Sequence, residues 1–211
     1  DLATKKNIVL IFDECTSGFR ETYGGIFKKY NVNPDMAMFG KTMGNGYAIT
    51  AVVGNRAVME SAQNTFISST FWTERIGPSA ALKTLEIMNR VKSWEIITQK
   101  GKKVQDGWNR ISKKYNIPIT CSAIPSVSSF KINSKNHLKY KTFISQEMLK
   151  KGFIASTHFY ACTEHKEAYI DDYLNEMDSI FNILSKCDRE EINIDDILDG
   201  PVCHSGFSRL N

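Results

Sequence analysis

The segment from Ile8 to Gly46 decides the reading, with I-V-L-I-F-D-E-C-T-S-G-F-R at 8–20 and N-P-D-M-A-M-F-G-K-T-M-G-N-G at 33–46. Ile8–Phe12 is continuously apolar and rich in β-branched residues, the pattern of a strand buried on both faces, and Asp13 closes it at its C-terminal end. Ligands of open α/β sheets bind beyond such strand ends. A second apolar run, Met36–Phe39, leads into Gly40 and Lys41, with Gly44 and Gly46 just after. Glycine there lets backbone and ligand approach closely. A lysine hemmed in by apolar residues and glycine is placed to lose solvation, and a partly desolvated amine attacks carbonyls to make a Schiff base. An acid opposite it would hold a cationic ring nitrogen. Asp13 alone reads equally well as a turn residue, and Lys41 alone as a solvated lysine; their joint setting carries the argument.

A Schiff-base lysine and a carboxylate for a pyridinium nitrogen are what a protein supplies to pyridoxal phosphate. The order of the elements is more specific. F-D-E-C-T-S-G-F-R (12–20), Y-N-V-N-P-D-M-A-M-F-G-K (30–41) and G-N-G-Y-A-I-T-A-V-V-G (44–54) resemble, in sequence and spacing, the class III pyridoxal-phosphate aminotransferases. Within them the glutamate-1-semialdehyde aminomutase group is the nearest look-alike. The family pattern reads D-E-V-x-T/S-G-F-R, then P-D-(apolar)-G-K, then G-G-G.

The resemblance implies an α/β protein of fold-type I: a partial large domain, mainly parallel sheet with helices, and a small α+β C-terminal domain. It implies pyridoxal 5'-phosphate as cofactor. The implied activity moves an amino group between an amino donor and a carbonyl substrate through a Lys41 aldimine; intramolecular amino transfer of the aminomutase type and an inactive fragment are the alternatives. Lys41 then is the catalytic residue and Asp13 the ring-nitrogen partner. Cys15 stands where the family usually has Val packed on a face of the ring, and Thr16 where members often hydrogen-bond the ring hydroxyl. The family also predicts a homodimer, in which a Thr at the position of Thr70 reaches the neighbouring subunit's cofactor phosphate. Here S-T-F-W-T-E-R-I-G-P (69–78) replaces the usual G-T-x-x-G-N-P. On the residues alone, the hydroxyls of 68–70 and the free amides before a helix at about 78 suit an anion. Arg20, in a turn-rich loop, is a candidate for a substrate carboxylate, against the plainer reading of a surface arginine. Complete members have a long portion ahead of this point, carrying a phosphate-cradling glycine turn and an aromatic residue on the ring, so the chain reads as a C-terminal fragment.

The rest of the 211 residues supports a soluble, ordinary chain. A net charge of +4 with 24% charged residues gives no case for nucleic acid. No apolar run approaches the roughly 18 residues of a membrane span. The five cysteines, Cys15, Cys121, Cys162, Cys187 and Cys203, form no C-x-x-C pair, which reads as reduced thiols in a cytoplasmic protein. His158 and His165 flank Glu164 without a third ligand, so no metal is expected. Apolar spacing predicts helices at Pro78–Val91, Trp94–Tyr115, Lys139–Lys151 and Asp171–Lys186, and strands at Ala48–Val53 and within Ile119–Ile132, broken at Pro125. The domains are placed at 1–110 and 111–211. The closing G-P-V-C-H-S-G-F-S-R-L-N (200–211) resembles the tail of some aminomutase-like members.

Overall fold

A computed structural model describes residues 1–71 and 73–206. Trp72 and the last five residues of the tail segment lie outside the described residues. The chain forms two compact units, Asp1–Ile96 and Ile97–Asn211.

In the first unit a short helix α1 (Leu2–Lys6) precedes β1 (Ile11–Asp13), β2 (Met36–Phe39) and β3 (Ala51–Gly54), then α2 (Arg56–Met59) and α3 (Ile76–Val91). The sheet order is β1-β2-β3. β1 and β2 run parallel, with Asp13 opposite Met38. β3 returns antiparallel, Phe39 pairing with Ala51. A parallel return needs a crossover of a dozen or more residues. The link from β2 to β3 holds only the 3-10 turn Lys41–Met43 and a few glycine-rich residues, so the chain reverses.

The strand expected from Ile8 starts late and is not buried on both faces. Asn7 takes a left-handed conformation with φ 52°, and the Leu10 amide is held by the Asp35 carboxylate at 2.8 Å, so regular pairing begins at Ile11. β1 is an edge strand: Phe12 packs on Phe27, while Ile8, Val9 and Ile11 remain 58%, 48% and 51% exposed. The buried core of this unit is small, Ala37, Phe39, Met43 and Ala81.

The second unit holds most of α4 (Ser93–Tyr115), then β4 (Ile119–Cys121), β5 (Val127–Ile132), α5 (His137–Lys150), β6 (His158–Tyr160) and α6 (Glu167–Asp188). Its sheet is antiparallel in the order β4-β5-β6. The apolar stripe Ile97, Val104, Trp108, Ile111 is buried as its spacing predicts, as is Tyr173, Leu174, Met177, Ile180, Phe181, Leu184 on α6. Because Val104, Trp108 and Ile111 pack into this second core, α4 belongs with it and the units part at Ile96/Ile97, ahead of the boundary near 110 read from sequence. Gly152, at φ 84°, ends α5 where the sequence places its stop.

Candidate active site

The parallel pair β1–β2 delivers the two candidate side chains to the same end of the sheet. Asp13 is the last residue of β1, and Lys41 follows β2 by one glycine, held at φ 39° at the head of the 3-10 turn Lys41–Met43. Gly44 closes that turn because a Cβ there would lie 2.2 Å from the Tyr47 carbonyl oxygen. This glycine serves the turn itself, where the sequence suggested closeness to a ligand.

Between the two lies the loop that begins Glu14-Cys15-Thr16. The Cys15 amide donates to Asp13 Oδ1 at 3.0 Å, and this bond, more than any other influence, holds the Asp13 carboxyl below the ordinary carboxylate pKa. The Lys41 ammonium acts in the same direction. Asp13 is therefore an anion at neutral pH, and its exposure to solvent favours that form as well. Lys41 Nζ donates to Thr16 Oγ1 at 2.5 Å, so the hydroxyl aims the amine. Cys15 lies against the same turn, its Sγ 3.6 Å from where a Gly40 Cβ would sit, and its thiol pKa is raised, first by its hydrogen bond with Asp13. Lys41 is exposed, not desolvated: among the described residues no side-chain wall closes over it.

The carboxylate that builds the loop is Glu14, which the sequence reading passed over. It is 2% exposed, accepts from the Ser17 hydroxyl at 2.5 Å and from the Phe27 amide at 3.2 Å, and its own amide bonds the Met38 carbonyl at 2.8 Å. Strand alternation could have found it, since Glu14 shares the inward face with Phe12. Arg20 Nε is committed to the Thr16 carbonyl at 2.8 Å, which makes it a brace of this loop. Thr70 is an exposed turn residue in the same unit. The amides opening α3, expected to receive an anion, are taken by the chain itself: the Glu74 carboxylate accepts from Ile76 and, at 3.0 Å, from Gly77.

An anionic carboxylate, a solvent-open amine and a hydroxyl between them at one sheet end fit the ring nitrogen, aldehyde and ring hydroxyl of pyridoxal phosphate. The fold is that of the fold-type I pyridoxal-phosphate enzymes. The structure superposes on an omega-transaminase from Sphaerobacter thermophilus with a TM-score of 0.75 at 18% identity, over 85% of this chain and 45% of that one. It matches ornithine aminotransferase from Plasmodium yoelii with a TM-score of 0.76 at 20% identity, over 87% and 50%.

In sequence, residues 1–182 match the aminotransferase class-III family, and the chain belongs to that family. It is 32% identical over 173 residues to a 3-aminobutyryl-CoA aminotransferase of Cloacimonas acidaminovorans, 79% of this chain and 42% of the relative. It is 28% identical over 201 residues to a glutamate-1-semialdehyde 2,1-aminomutase of Persephonella marina, 87% and 47%. The chain thus spans about half the length of the curated relatives it matches.

Proposed function

We propose that this chain carries the lysine-bearing part of a pyridoxal-phosphate-dependent aminotransferase site that moves an amino group between an amino donor and a carbonyl substrate. The observation that carries the reading is the placing of Asp13 and Lys41 at the ends of adjacent parallel strands, with Thr16 hydrogen-bonded to Lys41 Nζ. When bound, the cofactor supplies an electron-withdrawing ring that lets a substrate C–H ionise. Lys41 would be the residue that holds the cofactor, and its amine would be placed to take up and return the substrate proton. Asp13 keeps a negative charge facing the ring nitrogen, which favours its protonated form. Thr16, which bonds the amine, would offer its hydroxyl to the ring hydroxyl, Cys15 would stand at the ring face, and Arg20 remains the candidate for a substrate carboxylate. The aminomutase relatives support a second reading, intramolecular transfer within one substrate by the same residues.

The protein acts as a homodimer in this reading, with Thr70 serving the partner's cofactor phosphate. The open apolar positions of the first unit, Ile8, Val9, Val52 and Val53 among them, give an assembled form surface to cover. Ungrouped free thiols fit a reducing, cytoplasmic compartment. Mixing Lys41→Ala and Thr70→Ala variants tests the site and its sharing together. Lys41→Ala alone loses activity by about 10²-fold or more, the range for a removed general acid–base group. Mixed dimers contain one site with both lesions and one with neither, so activity rises above either parent. Failure to recover, with subunit exchange confirmed, rejects the shared site; near-normal activity of Lys41→Ala rejects the lysine.

A further inference from the structure

We propose that the second unit binds a small phosphorylated anion in the cavity between the outer face of its sheet and the start of α5. The cavity measures about 500 Å³. Its wall holds Lys131, Lys141, His137, His158 and His204, and no carboxylate lines it among the described residues. The chain has four histidines, so three of them converge on one hollow.

Along α5 and at its end the contrast is local. Lys139 on the same helix pairs with Asp195 at 2.6 Å, Lys150 with Glu147 and Asp199, and Lys151 with Glu176. Lys131 and Lys141, the two that face the cavity, ion-pair with no carboxylate among the described residues. Gathering cations without a counter-charge is unfavourable unless an anion joins them, and the effect is strongest for a multiply charged one.

The remaining donors select phosphate. Cross-strand register sets Thr120 beside Lys131 and Ser129 beside His158, so each of these two basic residues on the sheet face has a hydroxyl-bearing neighbour. α5 opens at the cavity, with His137, Leu138 and Lys141 on the wall, and its N-cap Asn136 gives no side-chain bond to the first turn. The His137 amide is taken by the Ser134 carbonyl at 3.2 Å, so α5 offers the cavity its side chains. Hydroxyls and basic side chains arriving from two elements suit a tetrahedral oxyanion with several acceptors.

The four histidines make the test site-specific. Pyrophosphate is titrated into the full chain while the imidazole proton resonances, assigned with single His→Gln variants, are followed. The expected result is saturable movement of His137, His158 and His204, with His165, which lies outside the cavity, unmoved. The Lys131→Ala/Lys141→Ala double variant weakens binding at least tenfold, with Lys→Gln at both positions as the substitute if the alanines unfold the chain. The inference is overturned if the three resonances do not saturate, if His165 moves with them, if the double variant binds equally well, or if citrate binds as tightly as pyrophosphate.

Discussion

The two units solve the problem of burial differently. The second builds a continuous core of nineteen buried residues from α4, α5, α6 and one face of its sheet, closed by the Trp108 indole donating to the Tyr173 hydroxyl at 2.9 Å and packed on Phe130 at 4.7 Å. The first, which carries the candidate site, gathers only four buried residues into its core cluster among the described residues, and leaves Phe66 at 96% and Phe71 at 76% exposed. Its order comes instead from polar ties: Glu14 to Ser17 and Phe27, Asp35 to Leu10 and Asn55, Glu74 to the start of α3. A site is thus held by directional bonds where apolar packing is thin, whereas the second unit is held by its apolar core.

This contrast predicts where substitutions hurt. Trp108→Ala leaves a large cavity and strips the Tyr173 hydroxyl of its donor, and should cost about 3–5 kcal/mol by chemical denaturation. Phe39→Ala, in a core half open to water, should fall at or below the low end of that range. Equal losses at the two positions would erase the distinction between the units.

Glu14→Ala probes the polar ties. It orphans the Phe27 amide and the Ser17 hydroxyl, at a cost of about 1–3 kcal/mol. Amide hydrogen exchange should quicken across residues 14–27 and stay unchanged in α6. Faster exchange throughout the chain would mean that Glu14 supports more than its own loop.

The smallest effect lies on the surface of the packed unit. Burial pushes the Asp178 carboxyl up, but the hydrogen bonds from Lys114 and Tyr115 outweigh it and leave its pKa below the ordinary value. A carboxylate with a depressed folded pKa adds stability that is present above its unfolded pKa, near 4, and lost as pH falls through the folded one. Lys114→Ala should therefore cost under about 1 kcal/mol at neutral pH and nothing near pH 2. A penalty that persists in acid would assign the effect to packing of the lysine stem.

Sequence made much of this legible, for physical reasons that also mark its limits. Met36–Phe39 is a strand with the bounds its apolar run suggests, and the helical stripes on α4 and α6 face the core because a period of 3.6 over four or more turns admits little else. The resemblance of the segments 12–20, 30–41 and 44–54 to the class III aminotransferases agrees with the family match over residues 1–182. Burial of Ile8–Phe12 was misjudged, since an apolar run signals affinity for a partner layer and cannot say that the layer lies within the chain. Lys41 was expected to be desolvated, but the exposure of an amine depends on walls contributed by residues far along the chain. Glu14 was overlooked because an acid beside Asp13 looks like more of the same; only its register on the strand separates the inward carboxylate from the outward one. Glu74 was missed as the acceptor for α3, a role set by local turn geometry that spacing does not reveal.

The central claim is that Lys41 holds the cofactor. Pyridoxal phosphate added to the protein should give the visible absorption band of its lysine-bound form, and borohydride reduction followed by peptide mass mapping should place the label on Lys41. Lys41→Ala should abolish both. A band of undiminished strength in Lys41→Ala, or label spread over other lysines with Lys41 unmodified, would contradict the account.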